Sequence, residues 1–122
     1  MRQAAVAAKG GIGMTGIERI AAERKRQIEK EGWTLEHDDF HDNGQLATAG
    51  ACYAISDYLR GREITFVTPL GKNTLSLENA LWPWAWEWWK PTPENRIREL
   101  EKAGALIAAE IDRLLRLEAQ NG

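Results

Sequence analysis

The chain carries one cysteine, Cys52, in 122 residues. An intrachain disulfide is therefore excluded, and the usage suits a reducing cytosol. Histidine is nearly as scarce: His37 and His41 are the only two. Histidine–aspartate phosphohydrolases need further, well-separated histidines, so that chemistry is a poor fit. No apolar stretch is long enough to span a bilayer. Residues 1–8 hold one arginine and no long apolar region, so no signal peptide is expected and the expected location is the cytosol. Neither sign of charge dominates: 16 Lys and Arg stand against 18 Asp and Glu, a net −2. A dedicated duplex-DNA binder is usually basic overall, so duplex DNA is not an expected partner. A local basic site is still allowed. Long repeats and low-complexity runs are also missing.

What the chain does have is tryptophan. Five indoles fall within eight residues, at Trp82, Trp84, Trp86, Trp88 and Trp89, and the sixth is Trp33. Each offers a large apolar face and one N–H donor. Such a cluster can close a small core, fill a partner's pocket, or stack on a flat ligand such as a base. The length and the 43% hydrophobic content fit one globular domain with a modest core.

The pattern predicts three principal helices. Residues 1–14 read as an N-terminal extension, broken by Gly10, Gly11 and Gly13, ahead of a single helical domain over 15–122. Thr15 and Glu18 form a capping box for a helix over 15–31 that places Ile17, Ile20, Ala21, Arg24 and Ile28 on one face. Gly32 ends it, with Trp33 expected back on Ile28. A polar loop over 34–42 follows. Asp42 and Gln45 predict a second capping box and a helix over 43–60 whose small residues, Ala47 to Ala54, allow close approach of a partner helix. Ile64-Thr65-Phe66-Val67 is β-prone, 76–81 has one or two helical turns, and the Trp run suits a strand or a short helix after Pro83. Thr92 and Pro93 predict the start of the last helix, over 93–117. Ile97, Leu100, Gly104, Ile107, Ile111 and Leu114 recur in it at spacings of 3 and 4 and predict a buried seam. The expected fold is all-α: a compact three-helix domain with a Trp-rich irregular connection between the second and last helices. The small-residue seams suit a homo-oligomer as well as an intrachain core.

The densest polar constellation is Glu36-His37-Asp38-Asp39-Phe40-His41-Asp42. His37 and His41 have the i,i+4 spacing of a zinc-binding helix, with Asp38 where a general-base glutamate would stand. His37, Asp38 and His41 therefore form the alternative metal reading, with a divalent cation. The other reading is a hydrogen-bonded loop in which Asp38 or Asp39 accepts from Arg24 or Gln27. All-α nucleotide pyrophosphohydrolases of the MazG type hold magnesium with Glu-x-x-Glu and Glu-x-x-Asp pairs. Only Glu36-x-x-Asp39 offers a convincing half. Cys52, among alanines, reads as a small core residue.

Several blocks carry a resemblance in combination: Glu23-Arg24-Lys25-Arg26-Gln27, Glu31-Gly32-Trp33-Thr34-Leu35-Glu36-His37-Asp38-Asp39-Phe40-His41, Trp82-Pro83-Trp84, Trp88-Trp89-Lys90-Pro91, and Lys102-Ala103-Gly104 through Leu114. Over 15–117 the chain resembles a group of small, uncharacterised bacteriophage and prophage proteins. The resemblance implies a phage accessory protein acting in the cytosol of a bacterial host, and brings no catalytic residue with it.

These readings converge on binding of a small nucleotide-like ligand without turnover, as in sequestering a host immune signal. Trp88 and Trp89 are the expected stacking planes, Arg24 and Lys90 the phosphate partners, and Gln27, Asp38 and Asp39 the polar contacts. No cofactor is expected. The alternatives are a metal-dependent all-α nucleotide pyrophosphohydrolase and a protein–protein adaptor anchored by exposed tryptophans. Trp82 and Trp84, beside Pro83, are expected to be the more buried indoles.

Overall fold

The computed structural model describes residues 14–121. The expected extension therefore lies, apart from Met14, outside the described residues. Thr15 caps α1 (Gly16–Lys30) with both halves of the capping box formed. The helix ends at Gly32, whose φ of +74° is open to glycine at little cost. The returning Trp33 N–H donates to the Gln27 carbonyl, one residue before the expected Ile28.

The expected loop over 34–42 contains a short helix, α2 (Leu35–Asp39). The Thr34 hydroxyl accepts from the His37 N–H and starts it. The second predicted helix is shorter than expected: α3 spans Gln45–Ala54. Its last carbonyls are taken by guanidinium groups. Arg60 donates to Cys52 and Tyr53, and Arg96 to Tyr53 and Ala54. These charge-assisted bonds satisfy groups that a continuing helix would otherwise occupy.

The expected all-α, three-helix fold is overturned here. The described chain has five α-helices and a two-stranded antiparallel sheet. β1 (Glu63–Thr68) pairs with β2 (Gly71–Ser76), from Glu63 opposite Ser76 to Thr68 opposite Gly71. The β-branched and aromatic run of β1 suits a strand. Its partner is polar, and only the Pro69-Leu70 turn betrays it: proline presets the backbone for a tight reversal. Ser76 then caps α4 (Leu77–Leu81), and Trp86–Trp88 form one 3-10 turn.

The last helix, α5 (Arg96–Asn121), begins after Asn95, whose side-chain oxygen accepts from the Arg98 N–H. The buried seam predicted on it is a second correction. Ile97, Leu100, Ile107, Ile111 and Leu114 are 43–59% exposed. Glu99, Ala103, Leu106, Ala109 and Arg113 are buried instead, about a third of a turn around the helix at 3.6 residues per turn. Packing volume explains the switch. The core joins Leu46, Ala49, Cys52, Tyr53, Trp82, Ala103, Leu106 and Ala109, with Trp33, Trp84 and Trp89 against it. Indoles supply the bulk, so α5 meets them with alanines. The small face of α3 is used as expected: a Cβ at Gly50 would stand 3.0 Å from the Ala103 carbonyl oxygen.

Two buried carboxylates tie the helices together. Glu99 accepts from Arg60, Arg96 and the Thr92 N–H. Glu23 accepts from Arg26, Arg98 and Gln27. Burial alone raises both carboxyl pKa values, but the guanidinium hydrogen bonds outweigh it and hold both below the ordinary range.

Candidate functional site: an aromatic cavity edged by two histidines

A cavity of about 400 Å³ opens between α2, α3, the Trp run and α5. Trp33 enters it from the α1–α2 junction. α2 and the residue pair after it present His37 and His41, and α3 presents Tyr53. Trp82, Trp84, Ala85 and Trp88 come from the Trp run, and Leu106 of α5 completes the lining. Seven of these nine side chains are aromatic or imidazole rings, and six of them, all but Trp88, touch one another in series. Trp33 stacks on His37 at 5.7 Å and 8°, His37 meets His41 edge-on at 4.9 Å, and His41 lies 5.0 Å from Trp84. Trp84 meets Trp82 at 5.4 Å, and Trp82 meets Tyr53 at 5.7 Å, both edge to face. Edge-to-face contacts match the positive rim of one ring to the negative face of the next.

The local fold explains the histidine pair. The Thr34 cap sets the start of α2, and the i,i+4 spacing then stacks His37 and His41 along one side. Asp38, fully buried, stands behind His37. Its Oδ1 lies 3.2 Å from His37 Nδ1, and its Oδ2 accepts from Arg24 at 3.1 Å. A carboxylate only accepts, so Nδ1 carries the proton in this contact, and Nε2 is the ring edge that Asp38 does not use. His41 is pushed below the ordinary histidine range, first by burial and then by His37, against a smaller opposing pull from Asp38. It is therefore neutral at pH 7. Trp84 adds a donor: its buried Nε1–H has no partner among the described residues, whereas Trp82 Nε1 donates to the Ala85 carbonyl.

The residues singled out from sequence divide between this cavity and its surroundings. Trp88 lines it and is 56% exposed. Trp89 packs behind, stacked on Tyr53 at 4.8 Å with Arg60 over its ring. Lys90 Nζ lies 6.0 Å from the Trp88 ring, and the Lys90 N–H donates to the Tyr53 hydroxyl. Arg24 pairs with Asp38 and, at 3.8 Å, with Asp112. Gln27 donates to Glu23. Asp39 accepts from Arg116 at 2.7 Å. Arg24, Gln27 and Asp39 thus face other protein groups, and Asp38 reaches the cavity only through His37. Sequence reasoning missed Trp33 and Tyr53 as cavity walls. Trp33 sits beside the His-rich block in sequence, which was the available signal. Tyr53 gave none, because it reads as ordinary helix bulk.

For a metal, His37 and His41 are adjacent, but Asp38 is already engaged by His37 and Arg24. Among the described residues no group of three or more His, Cys, Asp or Glu side chains is placed to hold an ion. No described helix is long and apolar enough to cross a membrane. No protein-family model, curated protein or solved structure matches the chain.

Proposed function

We propose that the chain binds a small, flat, nucleobase-like ligand in the aromatic cavity and does so without turnover. The carrying observation is the cavity itself: about 400 Å³, walled by tryptophan and tyrosine, with two imidazole edges. This volume lies within the usual range for small-molecule pockets, where apolar walls give affinity and a few polar groups fix orientation. Indole faces stack on any base. The Nε2 edge of His37 and the Trp84 Nε1–H are the polar groups offered to the mixed donor and acceptor rim of a base. The ribose and phosphates run outward past Trp88 towards Lys90, whose Nζ lies 6.0 Å from the Trp88 ring. Arg24 does not reach the ligand; it fixes Asp38 and so His37. Together with the resemblance to phage proteins, this supports sequestration of a nucleotide-like host signal.

The test is calorimetric titration with adenosine, guanosine, cytidine and uridine and their monophosphates, with chromatography of the mixtures afterwards. Saturable binding of at least one, with the ligand recovered intact, is the expected result. Silence across the set refutes the nucleobase reading. Hydrolysed product with magnesium or manganese replaces binding by the pyrophosphohydrolase alternative. One observation favours the adaptor as a second reading: Trp86 is 49% exposed and outside the cavity lining. Trp86→Ala distinguishes the two, since it leaves nucleoside binding intact while abolishing capture of a protein partner.

A further inference from the structure

α5 buries one face and leaves an apolar one uncovered. Ile97, Leu100, Ile107, Ile111 and Leu114 are all at least 43% exposed and lie on one stripe of the helix. Gly104 and Ala108 are the small residues among them, and no charged side chain interrupts the stripe over five turns. α1 borders it on one side, where Ile20 fills the space a Cβ at Gly104 would need. α3 borders it on the other, where Gly50 lies against Ile107.

We propose that this face is the contact surface of a homodimer in which two α5 helices pair antiparallel. The spacing is self-complementary. With the two-fold axis between Ala105 and Leu106, Ile97 lies opposite Leu114 of the partner subunit, and Leu100 opposite Ile111 of the partner subunit. Ile107 of the partner subunit falls opposite Gly104, where Ile20 already fills the space, so isoleucine meets isoleucine at the centre. An isologous contact needs this kind of self-matching patch. Antiparallel pairing also sets the positive end of each helix over the negative end of the other. The size is sufficient. From Ile97 to Leu114 the stripe runs about 26 Å at 1.5 Å per residue, and with helices 8–10 Å away on both sides it is roughly 20 Å wide. Two such faces remove on the order of 1,000 Å² from water, the threshold for a specific interface. Depletion of charge at its centre is the signature of an interface core.

Sedimentation of the full chain, together with cysteine cross-linking, tests the pairing. The expected mass is twice the 13.7 kDa of one chain. Ile111→Glu weakens association by roughly 30-fold or more, the effect of an unpaired charge buried in an interface, while helical circular dichroism is unchanged. If that variant unfolds, the double variant Leu100→Cys/Ile111→Cys decides: on oxidation it gives a covalent dimer, and Leu100→Cys alone does not. Buried Cys52 does not compete. A monomer at every concentration overturns the dimer. A cross-link by Leu100→Cys alone, absent from the double variant's 100–111 pairing, overturns the antiparallel register.

Discussion

Two tryptophans six positions apart test the division between frame and site at the level of single residues. Trp82 is 9% exposed, meets Tyr53, Trp84 and Trp89, and spends its N–H on Ala85. Trp82→Ala should cost about 3–5 kcal/mol in urea unfolding, the range for emptying a buried aromatic site. Trp88 is more than half exposed, so Trp88→Ala should leave the urea midpoint nearly unchanged. It should weaken nucleoside binding roughly 5- to 150-fold, the equivalent of one stacked base. Normal binding by a folded Trp88→Ala protein removes that wall from the site. Glu99 makes the opposite kind of test, because it does not line the aromatic cavity. Glu99→Ala removes the buried carboxylate partner of Arg60 and Arg96 and leaves the Thr92 N–H without its acceptor. The expected loss is about 3–5 kcal/mol, as for other broken buried ion pairs. A loss below about 0.5 kcal/mol, the size of a surface change, would mean that water replaces the carboxylate.

Local signals made some elements legible and left others hidden. The Thr15–Glu18 capping box and the Gly32 stop are read from side chains within a few positions of one another, and both are formed. The Arg24–Asp38 pair is also formed, because an inward arginine next to an acidic segment has few other ways to be satisfied. The end of α3 was not legible. It depends on Arg60 and on Arg96, more than forty positions away, reaching the α3 carbonyls. The α5 seam misled for a related reason: its periodicity is real, yet the face that packs inward was chosen by indoles elsewhere in the chain. β2 was hidden because Gly71-Lys72-Asn73-Thr74 has little strand propensity of its own and is held by pairing with β1. The same hairpin gives a prediction. The Leu77 N–H donates to the Arg62 carbonyl at 3.2 Å, so the chain ends flanking the sheet already meet, and no strand residue lines the cavity. Replacing residues 63–76 by a short Gly-Ser link should keep the near-ultraviolet tryptophan signal and nucleoside affinity within about twofold, well under the roughly 1.4 kcal/mol of a tenfold change. Loss of either would show that the hairpin supports the Trp run.

For the molecule as a whole, the buried ionisable groups make stability depend on pH in one direction. Glu23 and Glu99 titrate below the ordinary carboxylate range in the fold, because arginine hydrogen bonds override the cost of burial. A carboxyl with a depressed pKa contributes stability that is complete above the unfolded value and is lost as pH falls through the folded one. His41 is also depressed, mainly by burial. The unfolded chain therefore takes up this proton first as pH falls below about 6.5, the ordinary histidine value, which again favours unfolding. Acid should thus destabilise the protein in two steps. The shallower begins near the ordinary histidine range and belongs to His41; the steeper begins as pH falls through the ordinary carboxylate range and belongs to the two clasped glutamates. Melting temperature measured from pH 8 to pH 3 should fall in this order. His41→Asn should flatten the first step and leave the second. Glu99→Gln should lower stability at pH 7 and shrink the second step, since its amide cannot titrate. A wild-type melting temperature that rises on acidification would contradict both assignments, because each group has the same sign of linkage and nothing in their shifts can reverse it.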